Sequence, residues 1–222
     1  YETGLLLELP DLKPSDTNGR NVFREPPVVS VAYSPDGKFL AFGTPNGEVV
    51  VWDNVKWAKQ LPKEGHSHYV TGLAAGPDGR TVLSAGDENV LLRWDVGRPG
   101  ESQLVHRFDR GLLDVVWSPD GKKFATIAAF TWYDVEQRGV VWDASTGKQL
   151  FKLDPLHHIY NAAFSPDGKV FAGCSYRDEC IHLWDATNGK KMHQFPKVGI
   201  CLDRPAFSAD LSLIHISEPT RL

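Results

Sequence analysis

The sequence predicts an all-β fold built from repeated four-stranded antiparallel modules. Three observations carry this expectation. A turn motif returns roughly every forty residues, an apolar stretch ending in Trp-Asp keeps step with it, and the composition is rich in turn formers and tryptophan. The 222 residues are 41% hydrophobic and 23% charged, enough for a packed core and unlike a disordered segment. Gly 20, Pro 15 and Trp 7 suit many short strands joined by tight turns.

The turn reads SPDG at Ser34–Gly37, GPDG at Gly76–Gly79, and SPDG again at Ser118–Gly121 and Ser165–Gly168. Its aspartates lie 42, 42 and 47 residues apart, and Asp210, in a fifth copy that breaks off, follows after 43. Pro presets φ for the first corner of a type I turn, and Gly takes the left-handed position that matches strand twist in a short hairpin. The flanking stretches, such as Val29–Tyr33 and Phe39–Phe42, are β-branched, aromatic or small and read as paired strands. The Trp-Asp stretches end at Asp53, Asp95, Asp143 and Asp185, which lie 17, 17, 23 and 18 residues after their turn aspartates. They are nearly all apolar, as a strand covered on both faces should be. Turns such as Asp143–Lys148 and Asp185–Lys190 then lead to a fourth, outer strand, for example Gln149-Leu150-Phe151.

Four short antiparallel strands per period make one propeller blade, which cannot bury both faces alone and must stack on its neighbours. The motifs in register, with Gly65-His66, Ser84 and Trp94-Asp95 at family spacing in the second copy, resemble the WD-repeat (WD40-type) β-propeller family over residues 1 to 210. The resemblance implies an open arc of about four blades from a seven-bladed ring. The expected blades are 28–62, 69–108, 112–153 and 159–195, preceded by the outer strand of another blade at 4–9 and followed by an inner strand at 201–208. On this reading the chain is a fragment, and the exposed faces of its end blades would make any homo-oligomer an artefact. Residues 211–222 match no part of the repeat and resemble a translated sequencing adapter, so they are set aside as a non-native tail.

The formal net charge is −4, without a dense Lys/Arg run, which disfavours nucleic acid as a partner. No apolar run approaches the ~20 residues of a membrane-spanning helix. Cys174, Cys180 and Cys201 form no CxxC pair and read as small buried residues. His66/His68 and His157/His158 lack further ligands at recognised metal spacing, so neither metal nor cofactor is expected. His66, Ser84 and Glu88 could suggest a hydrolase triad. The family resemblance instead implies a structural chain in which Trp94 bonds Ser84, Ser84 bonds His66, and an acidic residue holds His66. Glu88 stands where the family prefers Asp. The corresponding tryptophans are Trp52, Trp142 and Trp184. Phe42 and Cys174 occupy the Ser position of the first and fourth copies, and Asn46 and Asp178 their acidic position.

A non-enzymatic fold of this kind works through its loops. The loops that the family uses for partners hold Ser67, Tyr69, Asp87, His157, His158, Tyr176 and Arg177. The third copy is six residues longer between turn and Trp-Asp than the first two, and its extra segment carries Trp132, Tyr133 and Arg138. Aromatic residues and arginine are the usual anchors of interfaces. The expected function is a protein–protein or protein–peptide interaction scaffold. The alternative is a propeller module of a larger enzyme or sensor, peptidase-, TolB- or kinase-linked. The near-verbatim repeats resemble those of multi-domain bacterial proteins and suggest environmental, metagenomic DNA. The cytoplasm is slightly favoured over the periplasm.

Overall fold

The computed structural model describes residues 28–54, 58–60, 65–98, 101–129, 139–154, 159–175, 179–195, 204–208 and 213–214. These residues are all β, with no helix among them. The first sheet contains β1 (Ser30–Tyr33), β2 (Phe39–Gly43), β3 (Val49–Asp53) and β4 (Ala58–Gln60). The second contains β5 (Val70–Ala75), β6 (Thr81–Gly86), β7 (Val90–Asp95) and β8 (Ser102–Arg107). The third contains β9 (Leu112–Trp117), β10 (Lys123–Ala128), β11 (Gly139–Asp143) and β12 (Gln149–Lys152). The fourth contains β13 (Ile159–Phe164), β14 (Val170–Ser175), β15 (Ile181–Asp185) and β16 (Lys191–Gln194). Every sheet is an antiparallel meander in chain order. Successive first strands, β1, β5, β9 and β13, pack against one another, and the second strand of each sheet leans on the first strand of the next.

The turns explain why the meanders close where they do. In the first, Ser34 Oγ donates to Asp36 Oδ1 at 2.7 Å and accepts from the Phe39 amide at 3.0 Å, while Asp36 also accepts the Lys38 amide at 3.2 Å. Gly37 adopts φ +70°, the left-handed region expected of it. Ser118/Asp120 and Ser165/Asp167 repeat the arrangement. Where Gly76 replaces the serine, the Thr81 hydroxyl takes over and donates to Asp78 Oδ2 at 2.6 Å.

Side chains alternate between the two faces of a strand, and this divides each inner sheet between two cores. Val82 on β6 and Val90, Leu92 and Trp94 on β7 join Phe39, Val49, Val51 and Val70 in the seam between the first and second sheets. Their neighbours Leu83, Ala85 and Leu91 join Leu112, Val115, Phe124 and Trp142 in the next seam. A third seam gathers Ile127, Val141, Ile159, Phe171 and Trp184. The near-continuous apolar runs in the sequence thus reflect strands buried on both faces. At the start of the array no described residue covers the outer face of β1, where Val31 and Tyr33 stand exposed.

Beyond the fourth sheet, β17 (Ala206–Phe207) pairs antiparallel with β18 (Leu213–Ile214). The sequence reading sets residues 211–222 outside the repeat, yet two of them form ladder bonds. The reason is physical: a short apolar segment beyond a turn supplies the same backbone donors and acceptors whatever its origin.

Candidate interaction face and its buried polar support

The rim residues stand on a buried hydrogen-bonded chain in the second sheet. The Trp94 indole N–H on β7 donates to Ser84 Oγ on β6 at 2.7 Å. Ser84 Oγ lies 2.6 Å from His66 Nε2, and His66 Nδ1 lies 2.5 Å from Glu88 Oε1. Burial holds the His66 pKa below its ordinary value despite the Glu88 carboxylate beside it. A neutral ring gives one consistent direction: indole N–H to hydroxyl oxygen, hydroxyl O–H to Nε2, and Nδ1–H to carboxylate. The longer glutamate side chain thus makes the contact where the family prefers aspartate. Ser84 has no solvent exposure, so no substrate reaches its oxygen in this arrangement. The chain of bonds ties β6 and β7 to the segment leading into β5.

The other copies differ in what their tryptophans meet. Trp142 Nε1 donates to Thr126 Oγ1 at 2.9 Å. Sequence reading missed Thr126, although it stands ten residues before the tryptophan once the six extra residues are discounted. Trp52 and Trp184 bury indole N–H groups that find no acceptor among the described residues, consistent with Phe42 and Cys174 at the corresponding positions. Trp184 instead lies against His182, with ring centroids 5.7 Å apart.

A second buried polar centre was not legible beforehand. Asp114, on β9, is fully enclosed; its Oδ1 accepts the Val115 amide at 2.9 Å and Arg204 Nη2 at 2.5 Å, and its Oδ2 accepts the Ala162 amide of β13 at 3.1 Å. Burial raises its pKa to about 6, against the pull of Arg204 and the two amides. Gly72 on β5 makes room for it, because a Cβ there would lie 3.0 Å from Asp114 Cα. The available signal was one charged residue inside the apolar run Leu112–Trp117.

The Trp-Asp aspartates serve the scaffold. Asp143 accepts the amides and hydroxyls of Ser145 and Thr146, which hold its pKa near 2. Asp185 accepts the Thr187 amide and hydroxyl, and Asp95 takes a bidentate Arg80 at 2.8 Å.

Of the predicted rim residues, Ser67, Tyr69 and Asp87 are brought together at one end of the second sheet. All three are exposed, and the Asp87 amide donates to the Tyr69 carbonyl at 3.1 Å. Trp132, Tyr133, Arg138, His157, His158, Tyr176, Arg177 and Asp178 lie outside the described residues.

The sequence profile of the WD domain, G-beta repeat, matches residues 20–53, 59–95 and 147–185. The chain belongs to the WD-repeat family. Most of the longer third copy falls between these matches, yet its described residues form the same four-stranded sheet. Among WD-repeat relatives, the small ribosomal subunit protein RACK1y of Oryza sativa subsp. japonica is 29% identical over 164 residues, covering 71% of this chain and 47% of that protein. A p21-activated protein kinase-interacting protein 1-like of Danio rerio is 25% identical over 158 residues, covering 70% and 40%. The chain therefore spans about half or less of these relatives. A chain from the crystal structure of the mitotic checkpoint complex shares the fold with TM-score 0.66 and 22% identity, over 78% of this chain and 52% of that one. The relatives cited are eukaryotic and lend no support to the bacterial style read from the repeats.

Proposed function

We propose that this WD-repeat chain is a non-catalytic scaffold that holds rim loops in fixed positions for a protein or peptide partner. The observation that carries the reading is the contrast within the second sheet. His66 and Ser84 are locked in the interior, while Ser67, Tyr69 and Asp87, one to three residues away from them in sequence, face solvent. Tyr69 is 51% exposed, although burial of its ring would be favourable, and an aromatic held on a rigid rim is a typical anchor for a partner. The relatives point the same way: one is named for interacting with a kinase, and another comes from a multiprotein complex. The sequence pattern adds Trp132, Tyr133 and Arg138 of the longer third copy as further candidate anchors, and His157, His158, Tyr176 and Arg177 as candidates from the partner loops that the family resemblance implies.

The test replaces Tyr69 and Asp87 with Ala, and separately Trp132 and Tyr133, in the full-length protein. Binding of a captured partner should weaken about tenfold or more for each pair, equivalent to ~1.4 kcal/mol, with the melting temperature unchanged. Loss of folding in the Trp132/Tyr133 variant would show instead that these rings pack on a neighbouring blade. Unchanged binding in both variants would refute the rim as the docking face.

A further inference from the structure

Above the buried chain, the rim carries three metal-capable groups that the sequence spacing does not reveal. One ring nitrogen of His68, a carboxylate oxygen of Asp87 and one of Glu88 all lie within 4.8 Å of one another. They come from the segment before β5 and the β6–β7 turn, so only the fold assembles them. We propose that His68, Asp87 and Glu88 form a binding site for a divalent transition-metal ion of the zinc type, open to solvent on one side.

Four features of the geometry support this. First, Glu88 spends only one oxygen on His66; its Oε2 is shielded from solvent and has no hydrogen-bond partner among the described residues. A buried carboxylate oxygen without a donor is costly, and a cation is one of the few occupants that satisfies it. Second, the positions are held. His66 fixes Glu88, the Asp87 amide is tied to the Tyr69 carbonyl, and Ser67 Oγ lies 3.1 Å from His68 Nδ1. Supporting contacts of this kind orient metal ligands. Third, the separation is close to what one ion requires. Ligands at about 2.0–2.2 Å in a tetrahedral shell stand ~3.3–3.6 Å apart, so from a separation within 4.8 Å the exposed His68 and Asp87 side chains need to close by at most about 1.5 Å, within reach of a rotamer adjustment. Fourth, the donor set selects the ion. Hard cations such as calcium prefer six or more oxygens, whereas one imidazole with two carboxylates suits zinc and its neighbours.

Three protein ligands leave at least one coordination position free, as in open zinc sites. Because His68 and Asp87 are exposed, that position can be reached from solvent, and a ligand from another molecule could complete the shell. This does not depend on the docking reading, since the ion would bind the isolated chain.

The experiment titrates Zn²⁺ into the full chain by calorimetry and repeats it with Co²⁺, whose d–d absorption reports coordination. The wild type should bind one equivalent at this site. His68→Gln and Asp87→Asn should each weaken that binding at least tenfold and abolish the Co²⁺ absorption band, with metal-free melting temperatures unchanged because both side chains are exposed. Failure of the wild type to bind Zn²⁺ would overturn the proposal. Binding that neither substitution weakens would also overturn it, by placing the ion on the chain's other histidines or cysteines.

Discussion

Replacing Ser84 with Ala is the most direct probe of the buried chain in the second sheet. The substitution removes one oxygen and orphans two groups: the Trp94 indole N–H, which donates at 2.7 Å, and His66 Nε2, 2.6 Å away. Ser84 has no exposure and His66 is buried, so water cannot easily replace the lost partner. Leaving a buried donor or acceptor unsatisfied costs about 1–3 kcal/mol each, and partial relaxation should bring the pair to about 2–4 kcal/mol. With a urea slope of about 1–3 kcal/mol/M, the unfolding midpoint should fall by ~1–2 M, followed by tryptophan fluorescence. Thr126→Val in the third sheet keeps the side-chain volume and orphans only the Trp142 N–H. Its cost should be about half as large, ~1–2 kcal/mol. A Ser84→Ala effect below about 0.5 kcal/mol, the range of neutral surface changes, would refute the network as a stabilising element. So would a Thr126→Val effect that exceeds it.

Two further outcomes follow from the backbone and from titration. Gly47 adopts φ +85°, and a Cβ there would lie 1.9 Å from the His66 carbonyl oxygen, so Gly47→Ala should cost more than about 2 kcal/mol in the same unfolding assay; a neutral result would mean that the turn rearranges freely. Asp114 has its pKa raised from 3.8 to about 6 by burial, so the folded protein binds its proton more readily than the unfolded chain. The penalty of the buried charge is therefore fully present above pH 6 and is relieved as pH falls towards 3.8. Relative to Asp114→Asn, the wild type should gain stability over that interval, by up to about 3 kcal/mol. A pH-independent difference would show that Asp114 does not titrate there.

The repeat made the architecture readable because two kinds of signal reinforced each other. The aspartates and glycines at Asp36-Gly37 and its copies specify turns locally, while the apolar runs before Asp53, Asp95, Asp143 and Asp185 report strands covered on both faces. The order Trp94–Ser84–His66 was legible only through the family resemblance that the motifs carry, not from spacing alone. What escaped was anything made by sheets meeting. Asp114 meets Arg204 from 90 positions away, and no local pattern announces such a pair. Thr126 was hidden by the longer hairpin that shifts its count. The convergence of His68, Asp87 and Glu88 depends on a turn and a strand approach that lie 19 or more residues apart in sequence, so ligand spacing along the chain could not show it.

The uneven treatment of the four tryptophans has a consequence for how the array comes apart. Polar pins hold Trp94 and Trp142 in the middle sheets, while Trp52 and Trp184 in the flanking sheets rest on packing alone among the described residues. In a protein whose units touch only their neighbours, opening can begin wherever the local bonds are weakest. Amide exchange should therefore run from both flanks inward, with β6, β7, β10 and β11 the last to trade their hydrogens for deuterium.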